Sequence, residues 1–327
     1  MRAGIAGSGM IAQLVGPRLA GWGIEVAAVA STPRSLARAR ELAASIGARA
    51  CIDDWHALLD NRDVDTVYVA VPNALHHEIA LAALLAGKDV ICEKPLASCE
   101  RKARELAEVA RREGRFLWEA LTTTRQPNFR ILRDEILPQL GEARVATMSF
   151  CKRSSRYSAF REGTILPAFD PSMAGGALMD LGVYALSFWL GLFGTPREAR
   201  YCANVERGID TSGIVTLVYD GLVASIALAK DCDGPCGMTL QGTEGHALMD
   251  TPPNVCGPIH VSLRGGAERV VDESLRVMWE AEFREMVAQR SAGDLDGCHR
   301  RLEESLAVSS TLDALRRDAG VRFPGDD

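Results

Sequence analysis

Two glycines, Gly7 and Gly9, lie between a short apolar run and a segment with helical periodicity near the start of the chain. The backbone N–H groups and the positive dipole end of a helix N-terminus bind phosphate groups. Glycine at the first position permits a sharp turn, and glycine at the second lets the backbone approach a pyrophosphate. The spacing therefore predicts a dinucleotide site, with an ordinary glycine-rich turn as the alternative. The predicted contacts are Gly7, Ser8, Gly9, Met10 and Ile11.

The end of the next predicted strand, residues 25–30, indicates which dinucleotide is bound. Sites for NAD usually carry Asp or Glu at this point, where the carboxylate accepts the ribose 2′-OH. Here the strand is followed by Ser31, Thr32 and Arg34, whose hydroxyls and guanidinium suit a 2′-phosphate. We therefore predict NADP as the preferred cofactor and NAD as a second cofactor. The alternative is that Arg34 merely begins the next helix.

Strand and helix patterns alternate through the first 121 residues of the chain. Short apolar runs are followed each time by an amphipathic segment, which is typical of a doubly wound parallel sheet. Ligands of such sheets bind at the carboxyl ends of the strands. Three segments fall there, namely 7–12, 72–76 and 93–95. We therefore predict an NAD(P)-binding Rossmann domain over residues 1–121.

The pattern changes in the second part of the chain. Segments rich in Tyr, Thr and Val, joined by turn signals such as Asp220-Gly221, are typical of antiparallel strands. Helical patterns interrupt them at about 176–192 and close the chain. We predict a substrate-binding and dimerisation domain over residues 122–327, of α+β class with a mostly antiparallel open sheet. Because an open sheet leaves one face uncovered, we expect a second copy to cover it and form a homodimer.

The composition restricts the classes of partner. The 327 residues are 47% hydrophobic and 24% charged, with a net charge of −6. No basic run is present, so no nucleic-acid partner is expected. No apolar run approaches the length of a membrane span, and no signal peptide precedes the first strand, so we expect a cytoplasmic protein without a membrane partner.

The nine cysteines are scattered along the chain and odd in number, which favours free thiols. Cys232 and Cys236 form the closest pair. No second Cys or His pair lies at a zinc-finger spacing from them. We therefore predict no metal site and interpret the pair as part of a Gly-Pro loop.

Four motifs occur in order along the chain, namely Gly7-Ser8-Gly9-Met10-Ile11-Ala12, Val69-Ala70-Val71-Pro72-Asn73 with His76, residues 87–97 including Glu93-Lys94-Pro95, and residues 175–184. Together they resemble the Gfo/Idh/MocA family of glucose–fructose oxidoreductase, inositol dehydrogenase and rhizopine-catabolism proteins. The resemblance covers essentially the whole chain. It implies an NADP-dependent oxidoreductase that transfers a hydride between the nicotinamide and a CH–OH or carbonyl group of a cyclic polyol or sugar.

The resemblance implies that Lys94, Asp180 and Tyr184 are catalytic. Lys94 follows a buried strand, and loss of hydration there would lower its pKa towards neutrality, which suits proton transfer. Asp180 and Tyr184 are four residues apart and would share one helix face. The tyrosine resembles the branch of dimeric dihydrodiol dehydrogenase and xylose dehydrogenase. Whether Lys94 or Tyr184 transfers the proton stays open, and without the motif Tyr184 would be interpreted as a core aromatic.

The resemblance also implies further binding residues. Glu93 would lie near the nicotinamide ribose, and Arg125, Asp180 and Tyr184 would bind the substrate. Arg125 departs from the related Arg-x-x-Pro pattern, because proline follows after only one residue. The cofactor groove would be lined by Val71, Pro72, Asn73 and His76, although an ordinary helix start explains His76 equally well. Two alternative functions are a dihydrodiol dehydrogenase and a non-catalytic NADP-binding regulator.

Overall fold

The computed structural model describes residues 1–326, which divide into two compact units. The first unit comprises Met1–Ala120 together with Glu282–Leu306. The second comprises Leu121–Ala281 and the residues from Ala307 onward. The sequence pattern predicts that everything after residue 121 belongs to the second domain, whereas the structure includes residues 282–306 in the first unit.

The first unit contains a six-stranded sheet in which every neighbouring pair is parallel. Its strands are β1 (Arg2–Ala6), β2 (Glu25–Ala30), β3 (Ala50–Ile52), β4 (Thr66–Val69), β5 (Asp89–Glu93) and β6 (Leu117–Ala120). Its helices before residue 121 are α1 (Met10–Val15), α2 (Leu36–Ile46), α3 (Ala57–Asp60), α4 (His76–Leu85) and α5 (Glu100–Arg112). The strand order is β3-β2-β1-β4-β5-β6. This confirms the predicted doubly wound sheet.

The central strands are rich in apolar residues because both faces of the sheet are covered. Every residue of β4, β5 and β6 is buried. Helix α5 buries one face through Ala103, Leu106 and Ala110. It has an acidic residue in its first turn and arginines in its last turn, which complements the helix dipole. The sheet thus holds the carboxyl ends of its strands in fixed positions.

The second unit contains an eight-stranded sheet in the order β14-β13-β12-β11-β7-β10-β9-β8. Its strands are β7 (Ala143–Cys151), β8 (Glu198–Glu206), β9 (Ile209–Tyr219), β10 (Leu222–Ala229), β11 (Gly237–Gly242), β12 (Gly245–Met249), β13 (Ile259–Leu263) and β14 (Arg269–Val271). Its helices are α6 (Pro127–Ile131), α7 (Tyr157–Arg161) and α8 (Val183–Phe193). All neighbouring pairs are antiparallel except β7 and β10, which confirms the mostly antiparallel sheet.

The stretch Pro171–Phe193, which contains α8, is long and apolar enough to meet the length and composition criteria of a membrane span. This corrects the expectation that no apolar run approaches that length. Its most apolar part is 67% buried, and Val183, Phe188 and Trp189 are fully buried in the core of the second unit. The apolar character of this helix is therefore accounted for by packing within the protein.

Two helices follow the second sheet, α9 (Glu280–Ala292) and α10 (Leu295–Asp318). Phe283 stacks on Trp22 with ring centroids 5.3 Å apart and meets Tyr68 edge-on at 5.7 Å. Arg290 lies 2.8 Å from the Asp89 carboxylate and 3.2 Å from that of Asp65. These contacts with β4, β5 and their neighbours explain why residues 282–306 belong to the first unit.

Candidate active site

Gly7 occupies a backbone conformation that only glycine adopts easily. Its φ is +113°, and a Cβ added there would lie 2.2 Å from the carbonyl oxygen of Ala70. Its N–H donates to the carbonyl of Ala30 at 2.8 Å, which fixes the turn between β1 and α1. The protein itself therefore requires glycine at this position.

Gly9 differs, because nothing in the protein excludes a side chain there. Its φ is −72°, and the nearest atom to an added Cβ is the Ala70 carbonyl oxygen at 4.0 Å. Helix α1 begins at the next residue, Met10. The open space over Gly9, beside a helix N-terminus, fits the close approach of a pyrophosphate. The residues present thus fit a dinucleotide cofactor.

The segment after β2 carries hydroxyls and a guanidinium, with no carboxylate from residue 31 to residue 35. The Oγ atoms of Ser31 and Ser8 lie 3.0 Å apart, which joins this segment to the glycine turn. Thr32 and Arg34 are exposed, and Arg34 lies in a 3-10 turn before α2. These groups are available to an anion at the end of β2.

Val71, Pro72 and Asn73 lie just after β4, beyond Ala70, and are partly buried. His76, at the start of α4, is 1% exposed. Its Nδ1 lies 2.8 Å from the carbonyl oxygen of Pro95, and its Nε2 lies 2.9 Å from that of Val71. Burial lowers the pKa of His76. The ring therefore connects two turns at the carboxyl edge of the sheet.

Lys94 follows the last residue of β5, is partly buried and is joined to Pro95 by a cis peptide bond. Two buried carboxyl groups flank the turn that carries it. Glu93 accepts the Tyr68 hydroxyl at 2.6 Å, and burial raises its pKa. Glu119, on β6, accepts the Leu96 N–H at 2.8 Å, and burial raises its pKa to about 7. The positive charge of Lys94 opposes both shifts.

The Asp180 and Tyr184 motif lies in the second unit, and Lys94 lies in the first. Residues Leu178–Gly182 form a π-helical turn, and α8 begins at Val183. The predicted α-helical spacing is therefore corrected, because Asp180 lies in the wider turn. Both side chains are partly exposed. Such turns within helices are frequent at functional sites.

Two glycines and a buried carboxylate fix the start of this helix. A Cβ on Gly175 would lie 2.7 Å from the Pro167 carbonyl oxygen, and one on Gly176 would lie 2.1 Å from Oδ1 of Asp210. Asp210 accepts the Leu178 N–H at 2.7 Å and the Tyr201 hydroxyl at 2.9 Å. Burial raises the pKa of Asp210 to about 6, and the charge of Lys230 opposes this rise.

The sequence patterns do not predict a role for Lys230 or Asp210. Lys230 follows β10 and lies 2.9 Å from Oδ2 of Asp180. The available signal was a charged residue directly after an apolar strand. Arg125, a predicted substrate-binding residue, lies partly buried in the 3-10 turn Thr123–Arg125. Within residues 1–326, no group of three His, Cys, Asp or Glu side chains is placed to hold a metal ion.

Comparison with known proteins relates the chain to a family. Residues 1–121 match the oxidoreductase family with an NAD-binding Rossmann fold, and residues 139–248 match the GFO/IDH/MocA C-terminal domain. The chain is 36% identical over 301 residues to scyllo-inositol 2-dehydrogenase (NADP(+)) of Bacillus subtilis, covering 90% of this chain and 89% of that protein. It is 32% identical to trans-1,2-dihydrobenzene-1,2-diol dehydrogenase of Oryctolagus cuniculus, covering 91% and 92%.

Solved structures with the same fold over almost the whole chain include two oxidoreductases. A 3-ketoreductase from Actinomadura kijaniata in complex with NADP and TDP-benzene has a TM-score of 0.83 at 27% identity, with 97% of both chains covered. Levoglucosan dehydrogenase in complex with NADH and levoglucosan has a TM-score of 0.84 at 18% identity, covering 98% of this chain and 97% of that one. At 18% identity, the similarity to levoglucosan dehydrogenase shows a shared fold only.

The parallel sheet, the glycine turn and these relationships define an NAD(P)-dependent oxidoreductase that acts on CH–OH groups. The chain belongs to the Gfo/Idh/MocA family. The predicted family and the nicotinamide cofactor are thereby confirmed.

Proposed function

We propose that this protein oxidises a secondary or hemiacetal hydroxyl of a cyclic polyol or sugar, or reduces the corresponding carbonyl, with NADP as the preferred cofactor. The observation that carries the proposal is that Lys94, Asp180 and Tyr184 are all present and partly exposed at the ends of buried elements. A relative at 36% identity is named scyllo-inositol 2-dehydrogenase (NADP(+)), which supports the substrate class.

The proposed roles follow from the chemistry of the side chains. When bound, the nicotinamide supplies the acceptor or donor of the hydride. Lys94 and Tyr184 are the two groups assigned to hold the proton of the reacting oxygen, as ammonium or phenol. Asp180 accepts a hydrogen bond from a substrate hydroxyl. Arg125 donates to another oxygen of the substrate.

The preference for NADP rests on the segment after β2. NAD sites usually hold the ribose 2′-OH with a carboxylate, which is missing among residues 31–35. Arg34 is exposed and Ser31 is tied to the glycine turn by Ser8, so a guanidinium and a fixed hydroxyl face a 2′-phosphate. The cofactor groove is assigned Gly7, Ser8, Gly9, Met10, Ile11, Val71, Pro72, Asn73 and Glu93 in addition.

Steady-state kinetics of the purified protein test the proposal. A panel of inositols, cyclic sugars and aromatic trans-dihydrodiols is assayed with NADP and with NAD. We expect turnover of a polyol or sugar and at least about a tenfold higher kcat/KM with NADP, since a charge-assisted hydrogen bond contributes on that scale. Equal use of NAD would contradict the cofactor assignment.

Two variants test the catalytic groups. Lys94→Ala and Tyr184→Phe should each lower kcat by at least about a hundredfold, the usual scale of a proton-transfer group. Lys152→Ala, at an exposed position, and Tyr219→Phe are matched controls that should keep wild-type kinetics. Full turnover in both Lys94→Ala and Tyr184→Phe would show that the site is placed incorrectly.

A dihydrodiol dehydrogenase is the second candidate, because a relative at 32% identity carries that name. Turnover confined to the trans-dihydrodiols of the panel would favour it. A non-catalytic NADP-binding regulator would instead bind NADPH tightly and turn over no substrate.

We also propose a homodimer formed through the outer face of the eight-stranded sheet. Val145 and Val223 are paired on neighbouring strands, and both are exposed. Ile214 and Leu248 are exposed apolar residues of the same sheet. A second copy would bury this surface. Val223→Lys should convert a dimer to a monomer in sedimentation velocity experiments.

A cytoplasmic location stays a prediction.

A further inference from the structure

Lys230 is a lysine buried in the second unit at the end of β10. Its side chain is 3% exposed. Its Nζ lies 2.9 Å from Oδ2 of Asp180, donates to the carbonyl of Ala168 at 2.9 Å and lies 4.7 Å from the centroid of the Phe169 ring. The ammonium is therefore surrounded by an anion, a carbonyl oxygen and an aromatic face, all of which stabilise a positive charge.

The backbone of Lys230 is also fixed. Its N–H donates to the Thr211 carbonyl at 2.8 Å, and its carbonyl accepts the Ser154 N–H at 2.8 Å. The side chain thus extends from a rigid strand end. Asp180, in contrast, lies in a π-helical turn and its side chain is 38% exposed. The fixed partner is the lysine, and the partner that reaches solvent is the carboxylate.

Stability alone does not explain an ion pair with a buried ammonium at this point. Removing the ammonium from water has a cost that offsets much of its attraction to the carboxylate, and apolar residues of similar volume are often as stable. The pair contains the carboxylate that the proposed function assigns to the substrate. A role of the ion pair in substrate binding therefore explains its presence better than a role in stability.

We propose that Lys230 is a positioning residue that holds the Asp180 carboxylate in place to receive a hydroxyl of the polyol substrate. The inference rests on the proposed function of Asp180. Lys230 itself is too deeply buried to contact the substrate directly, so it acts through Asp180. Asp210, near the start of β9, accepts the Leu178 N–H at 2.7 Å and so fixes the start of the turn that carries Asp180.

The test is a double-mutant cycle with Lys230→Met, Asp180→Asn and the combined variant. We expect Lys230→Met to raise the KM for the polyol about tenfold, the scale of one hydrogen bond to a charged group. The KM for NADP should stay unchanged. The combined variant should match Asp180→Asn alone, because the lysine has no further effect once the carboxylate is gone.

A matched control separates this role from a structural one. Arg316 is equally buried in the second unit and pairs with Asp326 at 2.8 Å. Arg316→Met should lower the unfolding temperature and leave both KM values unchanged. If Lys230→Met does not fold, Lys230→Gln keeps a donor for the Ala168 carbonyl and replaces it in the cycle.

The outcomes are distinct. An unchanged polyol KM in Lys230→Met, or independent losses that multiply in the combined variant, would overturn the positioning role while the proposed function stands. A wild-type protein without turnover on the whole panel would contradict the proposed function itself, and with it the role of the pair.

Discussion

Nδ1 of His76 lies 2.8 Å from the carbonyl oxygen of Pro95, the residue that follows Lys94. The other ring nitrogen faces the carbonyl oxygen of Val71 at 2.9 Å. A neutral imidazole can donate only one hydrogen bond, whereas an imidazolium can donate two. The buried ring therefore connects the turn after β4 with the turn that carries Lys94. A change in its protonation changes the hydrogen bonds that the ring makes to these two turns.

The pH dependence of stability should report this histidine. Burial lowers the pKa of His76 below its ordinary value of 6.5. The unfolded chain then binds a proton at a pH where the folded protein does not, so the stability contributed by His76 is present above pH 6.5 and is lost as pH falls through the folded pKa. We expect His76→Asn to weaken this loss in urea unfolding between about pH 7.5 and pH 5.

His77→Asn is the matched control for this experiment. His77 is the neighbouring residue, is partly exposed and contacts Glu105 at 2.9 Å. Its variant should keep the wild-type dependence on pH. Identical curves for His76→Asn and the wild-type protein would show that His76 does not titrate as its burial implies.

The two glycines of the first turn should respond differently to alanine. Gly7→Ala places a Cβ 2.2 Å from a backbone oxygen at a φ of +113°, so the fold is expected to lose at least about 2 kcal/mol. Gly9→Ala meets no protein atom closer than 4.0 Å and should change stability by less than about 1 kcal/mol.

Alanine at Gly9, which should change stability little, should instead lower the affinity for the cofactor. Gly9→Ala is expected to weaken NADPH binding by at least about tenfold, because its methyl group occupies the space assigned to the pyrophosphate. Thermal unfolding and NADPH fluorescence titration of both variants measure the two effects. Wild-type NADPH affinity in Gly9→Ala would contradict the placement of the phosphates.

Arg34 should determine the selectivity between the two cofactors. Arg34→Ala removes the guanidinium from the segment that the 2′-phosphate is assigned to, so its KM for NADP should rise about tenfold to a hundredfold. The KM for NAD, which lacks that phosphate, should stay unchanged. Arg40→Ala, at an exposed position of α2, is the control. Equal losses with both cofactors would assign Arg34 a structural role.

The parallel sheet could be predicted from the sequence because the interiors of buried strands such as β4 and β5 are apolar and give strong local signals. Gly7 could be predicted because a sharp turn at a strand end has a recognisable spacing. The packing of residues 282–306 could not be predicted, since Phe283 meets Trp22 and Tyr68 across more than two hundred residues of sequence. No periodicity records such a contact.

The residues of the candidate site also divide into those that local sequence patterns predict and those that depend on long-range contacts. Lys94, Asp180 and Tyr184 are predicted from motifs, which need no knowledge of the fold. Lys230 was missed because a single lysine after a strand has no spacing that connects it with Asp180, fifty residues earlier. The π-helical turn that holds Asp180 was missed because it depends on Gly176 and Asp210 meeting in three dimensions.

Glu119 should make the first unit less stable as the pH rises. Burial raises the pKa of its carboxyl group from 4.5 to about 7. Its contribution to stability is therefore fully present below pH 4.5 and is lost as pH rises through about 7. The difference corresponds to about 3 kcal/mol. Glu119→Gln keeps an acceptor for the Leu96 N–H and should be more stable than the wild-type protein at about pH 8, with little difference at about pH 5.

Urea unfolding across this pH range measures the effect, with Glu78→Gln, at an exposed position, as the control. A stability difference between Glu119→Gln and wild type that does not change with pH would contradict a raised pKa. Lys94 provides a second check, because its positive charge lowers the pKa of Glu119. Lys94→Ala should therefore move the loss of stability to higher pH in the wild-type background and have no such effect in Glu119→Gln. That coupling would place the ammonium of Lys94 beside the buried carboxyl group.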